Sequence, residues 1–188
     1  MAPGARLAHR PVLTASPATL GRERAGEARL PEIARFIDAN YPALLSFRQD
    51  RSAGELARDF VRNDDRPSGI GPEQAHSWLL LQGGDCGIGG LLQIYEGHPT
   101  ASSWYVGLLV LDAGLRGQGW GSRIVRDLRD EAAGRGLADL RVAIDPLNVA
   151  ALRFWRGLGF ARIEKIVARD AGYTLLELVN RLDRSSGG

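Results

Sequence analysis

Cysteine, lysine and long apolar runs are scarce in this sequence, and each scarcity removes a class of protein. Cys86 is the sole cysteine, so no intramolecular disulfide can form and no thiolate zinc site can be built. No metal is expected, and the lack of disulfides favours a reducing compartment, the cytoplasm. No stretch of about 18 apolar residues exists to cross a bilayer, and no apolar segment of signal-peptide length opens the chain. A membrane partner is therefore not expected. Residues 1 to 22 carry Arg6, Arg10 and Arg22 without an acid, as transit peptides do, but Pro3, Pro11 and Pro17 would disrupt an amphipathic helix there.

An excess of one charge is also missing. Twenty-four Lys plus Arg face 22 Asp plus Glu, a net +2 that is too small for a protein that grips nucleic acid. Lys165 is the only lysine, so the pI of about 9.0 rests on a small surplus of arginine. At 188 residues, 44% hydrophobic and 24% charged, the chain suits one globular domain, 1–188, with 1–10 and 183–188 as frayed ends. No internal repeat is visible.

What is present is a change of period along the chain. Ile33, Phe36 and Ile37, then Leu56, Phe60 and Val61, stand at helical spacing and predict two short helices. Segments 78–81, 87–94 and 104–111 read as strands, separated by Gly-Gly-Asp and Glu-Gly-His-Pro, and together predict an antiparallel meander. A helix follows from about Gly119, with Trp120, Ile124, Val125, Leu128 and Ala132 on one face. Leu140, Val142 and Ile144 alternate as a strand, and Ala151, Phe154, Trp155 and Leu158 mark a second helix with Asn148 at its N-cap and Gly159 as its left-handed cap. Residues 160–166 and 174–179 close the order as strands, which gives a mixed α/β domain and not a βαβ array.

The chemistry-bearing segment joins a strand to a helix. Arg116, Gly117, Gln118, Gly119, Trp120, Gly121 and Ser122 form a Gly-rich turn, where unpaired amides and the positive end of the helix dipole converge on an anion. On these grounds the ligand is a phosphate or pyrophosphate, and the plain alternative is a tight turn with no ligand. A dinucleotide fold needs Gly-x-Gly-x-x-Gly, but the third position is Ser122 counted from Gly117 and Ile124 counted from Gly119.

Arg116, Gly119 and Gly121 have the spacing Arg/Gln-x-x-Gly-x-Gly/Ala, and here the sequence resembles the GNAT superfamily of acyl-CoA N-acyltransferases. Segment 104–112 looks like the family's fourth strand and 148–160 like its second conserved block, and the resemblance spans about residues 76–180. It implies the acyl-CoA N-acyltransferase fold, a mixed α/β fold whose central, mostly antiparallel sheet is splayed between strands 4 and 5 and flanked by helices. It also implies acetyl-CoA as cosubstrate. The amides of Gly117, Gly119, Gly121 and Ser122 would take the pyrophosphate, with Arg116, Gln118 and Trp120 in the same turn. Leu109 and Leu111 would pair with the pantetheine arm, the Leu109 N–H would polarise the thioester carbonyl, and Asn148 would flank the far side.

Two departures from the family pattern concern protons. Relatives often carry a carboxylate base on the fourth strand, where this chain has Tyr105, a weak base with an ordinary pKa near 10. Glu96 and His98 in the turn before it, and Asp112 beyond it, are further candidates, and Glu96 and Tyr105 are the catalytic expectation. Strict alternation would put Tyr105, Gly107 and Leu109 on one face, toward the slot. Where relatives often have an acidic tyrosine, Trp155 stands, and it is expected to pack as core. Cys86, beside Gly-Gly-Asp, reads as a buried structural cysteine and not an acyl-carrying nucleophile. The resemblance thus implies acetyl transfer to a primary amine of a small molecule or peptide by direct attack in a ternary complex. The alternative is an acetyl-CoA-binding sensor or scaffold, and a homodimer stays open.

Overall fold

The computed structural model describes residues 20–44, 51–82, 86–169 and 173–182. The expected frayed ends, and the side chains of Cys86 and Tyr173, lie outside the described residues. Helix α1, Leu30–Leu44, buries Ile33, Phe36 and Ile37, and α2, Ala53–Arg62, buries Leu56 and Phe60, as their spacing predicts. A capping box opens α2: the Ser52 hydroxyl accepts the Glu55 amide at 3.3 Å, and the Glu55 carboxylate accepts the Ser52 amide at 2.8 Å. Asn63 ends it in the left-handed region, φ +56°.

Among the described residues seven strands form one sheet: β1 Leu20–Arg24, β2 Ala75–Gln82, β3 Cys86–Glu96, β4 Ser103–Leu111, β5 Asp139–Ile144, β6 Arg162–Arg169 and β7 Tyr173–Arg181, in the order β1-β2-β3-β4-β5-β7-β6. Strand β1 is one more than the periodicity predicts. Its Leu-Gly-Arg-Glu-Arg has no run of β-branched residues, and it is a strand because β2 offers it a ladder from Leu20↔Gln82 to Arg24↔Trp78. Helix α3, Trp120–Gly134, and α4, Val149–Gly157, lie on the face opposite α1 and α2. Their core takes in Leu92, Trp104, Val106, Leu128, Leu140, Trp155 and Phe160. Full burial of a side chain such as Leu92 or Leu140 stabilises by about 1.5–3 kcal/mol. Trp155 is core, with its ring edge-on to Phe154 and Phe160 at 5.2 and 4.9 Å.

Every neighbouring pair is antiparallel except β4 and β5. That parallel ladder has four rungs, from Ser103↔Asp139 to Val106↔Val142. Beyond Val106, β4 runs on to Leu111 without pairing with β5, so the sheet opens as a wedge on this side. Strand β4 is also bulged at this point: Ile94 faces Val106 and Gln93 faces Leu108, which leaves Gly107 without a partner in β3. A Cβ on Gly107 would lie 2.5 Å from the Tyr95 ring and 3.3 Å from Gln93 Oε1, so only glycine fits as the bulge stands.

The bulge overturns the strict alternation expected along β4, because one inserted residue exchanges the faces of all that follow. Trp104 and Val106 point into the α3/α4 core and Tyr105 to the other face, but after Gly107 it is Leu109 and Leu111 that join the α3/α4 side and Val110 that packs under α1 and α2. Tyr105 and Leu109 therefore lie on opposite faces.

Candidate active site

The turn between β4 and α3 has the geometry that its glycines foretell. Gly117 and Gly119 are left-handed at φ +72° and +82°, and a Cβ built on either meets nothing within 4 Å, so the turn faces open space. Gly119 caps α3, whose first hydrogen bond runs from the Arg123 amide to the Gly119 carbonyl at 3.0 Å. The amides of the first turn, Trp120 to Ser122, thus have no carbonyl one helical turn back to bond. With the helix dipole behind them, they suit an anion of phosphate type. Gly121 has a different reason to be glycine: a Cβ there would sit 3.1 Å from the Phe154 ring and 3.7 Å from Leu111, so it lets α3 pack against α4 and β4.

The other residues expected in the turn are spread over several tasks. Arg116 donates from Nε to the Leu111 carbonyl at 2.9 Å and from Nη2 to Asn40 Oδ1 at 2.7 Å, which ties the exit of β4 to α1. Asn40, buried, also donates to the Phe36 carbonyl at 3.1 Å, and nothing local in the sequence marks it as the anchor of the turn. Gln118 turns back to the Gly114 carbonyl, Trp120 packs at the margin of the α3/α4 core, and Asn148 Oδ1 accepts the Ala151 amide at 3.0 Å as the N-cap of α4. Leu109 and Leu111 line the unpaired stretch of β4 on the α3/α4 side.

Glu96 and Tyr105 do not come together. Glu96 belongs to the α3 face, where its carboxylate accepts Arg135 through both oxygens at 2.9 and 3.0 Å and lies 3.2 Å from His76 Nε2. Burial holds the His76 pKa below its ordinary value, and the field of Arg24 adds to this against the pull of Glu96. Tyr105 is on the far face, beside Tyr95, with ring centroids 6.4 Å apart.

On that face the parallel ladder brings Arg141 level with Tyr105 and β7 brings Glu177 level with Ala143. Arg141 is buried, with Nε on Asp139 at 2.9 Å and Nη1 on Glu177 at 2.8 Å, and Arg181 reaches Asp139 at 2.6 Å. Burial works against the Arg141 charge, but its hydrogen bonds to Asp139 and Glu177 more than offset this and hold its pKa above the ordinary range. Strand β5 lies between β4 and β7, and Arg141 is buried there with its guanidinium held by Asp139 and Glu177. Arg141→Met should cost about 3–5 kcal/mol by removing the guanidinium that pairs buried Asp139 and Glu177. Denaturation would measure this. A loss below about 1 kcal/mol would mean the network is not structural.

Two parallel strands thus part at a bulge, with a turn suited to an anion at the end of β4. The chain belongs to the GNAT acetyltransferase family: residues 37–160 match the family model described as Acetyltransferase (GNAT) family. It is accordingly a GNAT acetyltransferase, a family whose acyl donor is acetyl-CoA. Solved structures share the fold. An acetyltransferase from Thermus thermophilus is 22% identical with TM-score 0.66, covering 87% of this chain and 97% of that one. RimL, the ribosomal L7/L12 α-N-protein acetyltransferase in complex with coenzyme A, is 20% identical with TM-score 0.67 over 89% and 96% of the two chains. The ribosomal-protein-S18-alanine N-acetyltransferase from Escherichia coli is 16% identical with TM-score 0.58 over 86% and 93%. No curated protein sequence matches the chain. Among the described residues no helix is long and apolar enough to cross a membrane.

Proposed function

We propose that this chain transfers the acetyl group of acetyl-CoA to a primary amine by direct attack in a ternary complex. The observation that carries the reading is the coincidence of the bulge at Gly107 with the last β4–β5 rung at Val106, which opens a slot on one side and leaves Tyr105 and its neighbours facing the other. In this reading the amides of Gly117, Gly119, Gly121 and Ser122 hold the pyrophosphate, with Arg116 shaping the turn and Gln118 and Trp120 flanking it. Leu109 and Leu111 present backbone to the pantetheine arm, and Asn148 borders its far side. Acetyl-CoA supplies a thioester acyl group, and the Leu109 amide offers a hydrogen bond to its carbonyl oxygen, a role worth about 3 kcal/mol elsewhere. The acceptor amine approaches from the Tyr105 face, so donor and acceptor meet across the opening of the sheet.

The acceptor is a primary amine of a small molecule or a peptide. RimL and the S18-alanine enzyme are named for protein substrates and another similar structure for spermidine, which supports an amine without choosing among them. The reading also takes the chain as one cytoplasmic domain.

Thiol release on mixing acetyl-CoA with a panel of amines, including spermidine and N-terminal peptides, tests it directly. Release that depends on both substrates is expected. Binding of acetyl-CoA without turnover on any amine would leave a sensor or scaffold instead. Cys86→Ala should retain most of the activity, since direct transfer needs no enzyme nucleophile. An acetyl group trapped on Cys86 during turnover, with Cys86→Ala inactive, would overturn the direct route.

A further inference from the structure

His98 lies in the turn between β3 and β4, and the fold holds that turn from three sides. The Gly97 amide donates to the Ser103 carbonyl at 2.9 Å, Ser103 donates back to Thr100 at 2.9 Å, and the Ala138 amide before β5 donates to Ser102 at 2.7 Å. Gln74 adds a hydrogen bond to the Glu96 carbonyl at 3.2 Å. The imidazole stands edge-on to the Tyr105 ring at 5.1 Å, one residue before the last β4–β5 rung. It is thus on the Tyr105 face, half-buried, while Glu96 two residues earlier is on the opposite face. The charged groups that act on it are Glu177 from β7, Arg141 from β5 and Lys165 from β6. Glu177 is engaged by Arg141, and Tyr95 and Tyr105 are weak bases near neutral pH.

We propose that His98 takes the proton from the acceptor ammonium, so that the base of this enzyme is an imidazole in the β3–β4 turn and not a carboxylate on β4. This rests on the amine-acetylation reading above. One proton passes from R–NH3+ to His98, and the neutral amine forms the N–C bond to the acyl carbon. The C–S bond then breaks, the thiolate takes the second nitrogen proton, and His98 returns its own proton to water. Burial, the largest influence, together with Arg141 and Lys165 and against Glu177, holds the imidazole below its ordinary pKa. A base is useful only above its own pKa, so kcat/KM should fall in acid with a midpoint below the ordinary imidazole value of about 6.5.

The test uses whichever amine the panel identifies. His98→Gln should lower kcat/KM near neutral pH by about 10- to 1000-fold, with acetyl-CoA binding retained and much of the rate recovered at high pH, where free amine needs no base. His98→Ala should be partly rescued by added imidazole. If His98→Gln keeps the wild-type pH profile, or the wild type has no acid limb below neutrality, the assignment is wrong. The same follows if Glu96→Gln, and not His98→Gln, gives the loss that high pH restores. Failure of the wild type to acetylate any amine would count against the enzyme reading itself.

Discussion

Acetyl-CoA should raise the melting temperature of the wild-type chain, and Gly119→Glu should abolish that rise. A ligand bound only by the folded state stabilises by about 2.7 kcal/mol at a hundredfold excess over Kd, roughly 5 to 10 °C for a domain of this size. Gly119 is left-handed at φ +82° and opens onto unfilled space, so a glutamate there would put a carboxylate at the proposed pyrophosphate position. A non-glycine residue at this φ costs about 1–2 kcal/mol by itself, and Gly119→Ala measures that part alone. The alanine variant should melt lower yet still respond to acetyl-CoA. If millimolar acetyl-CoA leaves the wild-type melting temperature unchanged, or Gly119→Glu responds as strongly as wild type, the turn is not the anion site.

Gly107→Val should damage stability and turnover together, for a reason unrelated to the anion turn. Its Cβ would fall 2.5 Å from the Tyr95 ring, at the bulge where β4 changes face. Tyr95 is buried at 3% exposure and cannot swing into solvent, so the backbone must move. Overpacking of this kind costs about 1–3 kcal/mol. In the proposed mechanism this strand aligns donor and acceptor, and a shift of about 1 Å there can cost roughly 100-fold in rate. Denaturation and kcat/KM measured on Gly107→Ala and Gly107→Val separate the two effects, and the loss should grow with side-chain size. Wild-type values for both variants would show that the bulge does not set the geometry of transfer.

The readable features in this sequence were those whose cause is local. Residues 116–122 could be read as a glycine-rich turn into a helix because left-handed glycines and a helix start are properties of consecutive residues, and the structure has Gly117, Gly119 and the α3 cap in that form. The apolar spacing of α1 to α4 and the capping roles of Asn148 and Gly159 are local for the same reason. Strand β1 was not legible, since its ladder with β2 comes from a partner more than fifty residues away in the chain. Arg116 illustrates the boundary. Its place in the motif is legible, but its hydrogen bond to Asn40 joins residues 76 apart and redirects the guanidinium toward α1.

The mixed α/β class, the left-handed glycine turn that opens α3 and the family to which the pattern points were all legible in the sequence alone. Periodicity, capping and glycine conformation act over a few residues and need no partner to be expressed. Only the tertiary structure decided which side chains share a face. One unpaired residue at Gly107 reverses the alternation of β4, sending Tyr105 and Leu109 to opposite sides. The strand order β4-β5-β7 buries Arg141 between Asp139 and Glu177, and Glu96 and His98, two residues apart, part to opposite faces at the end of β3. A strand's period is two, so the face of each residue depends on register with distant strands, and register is a property of the folded sheet alone.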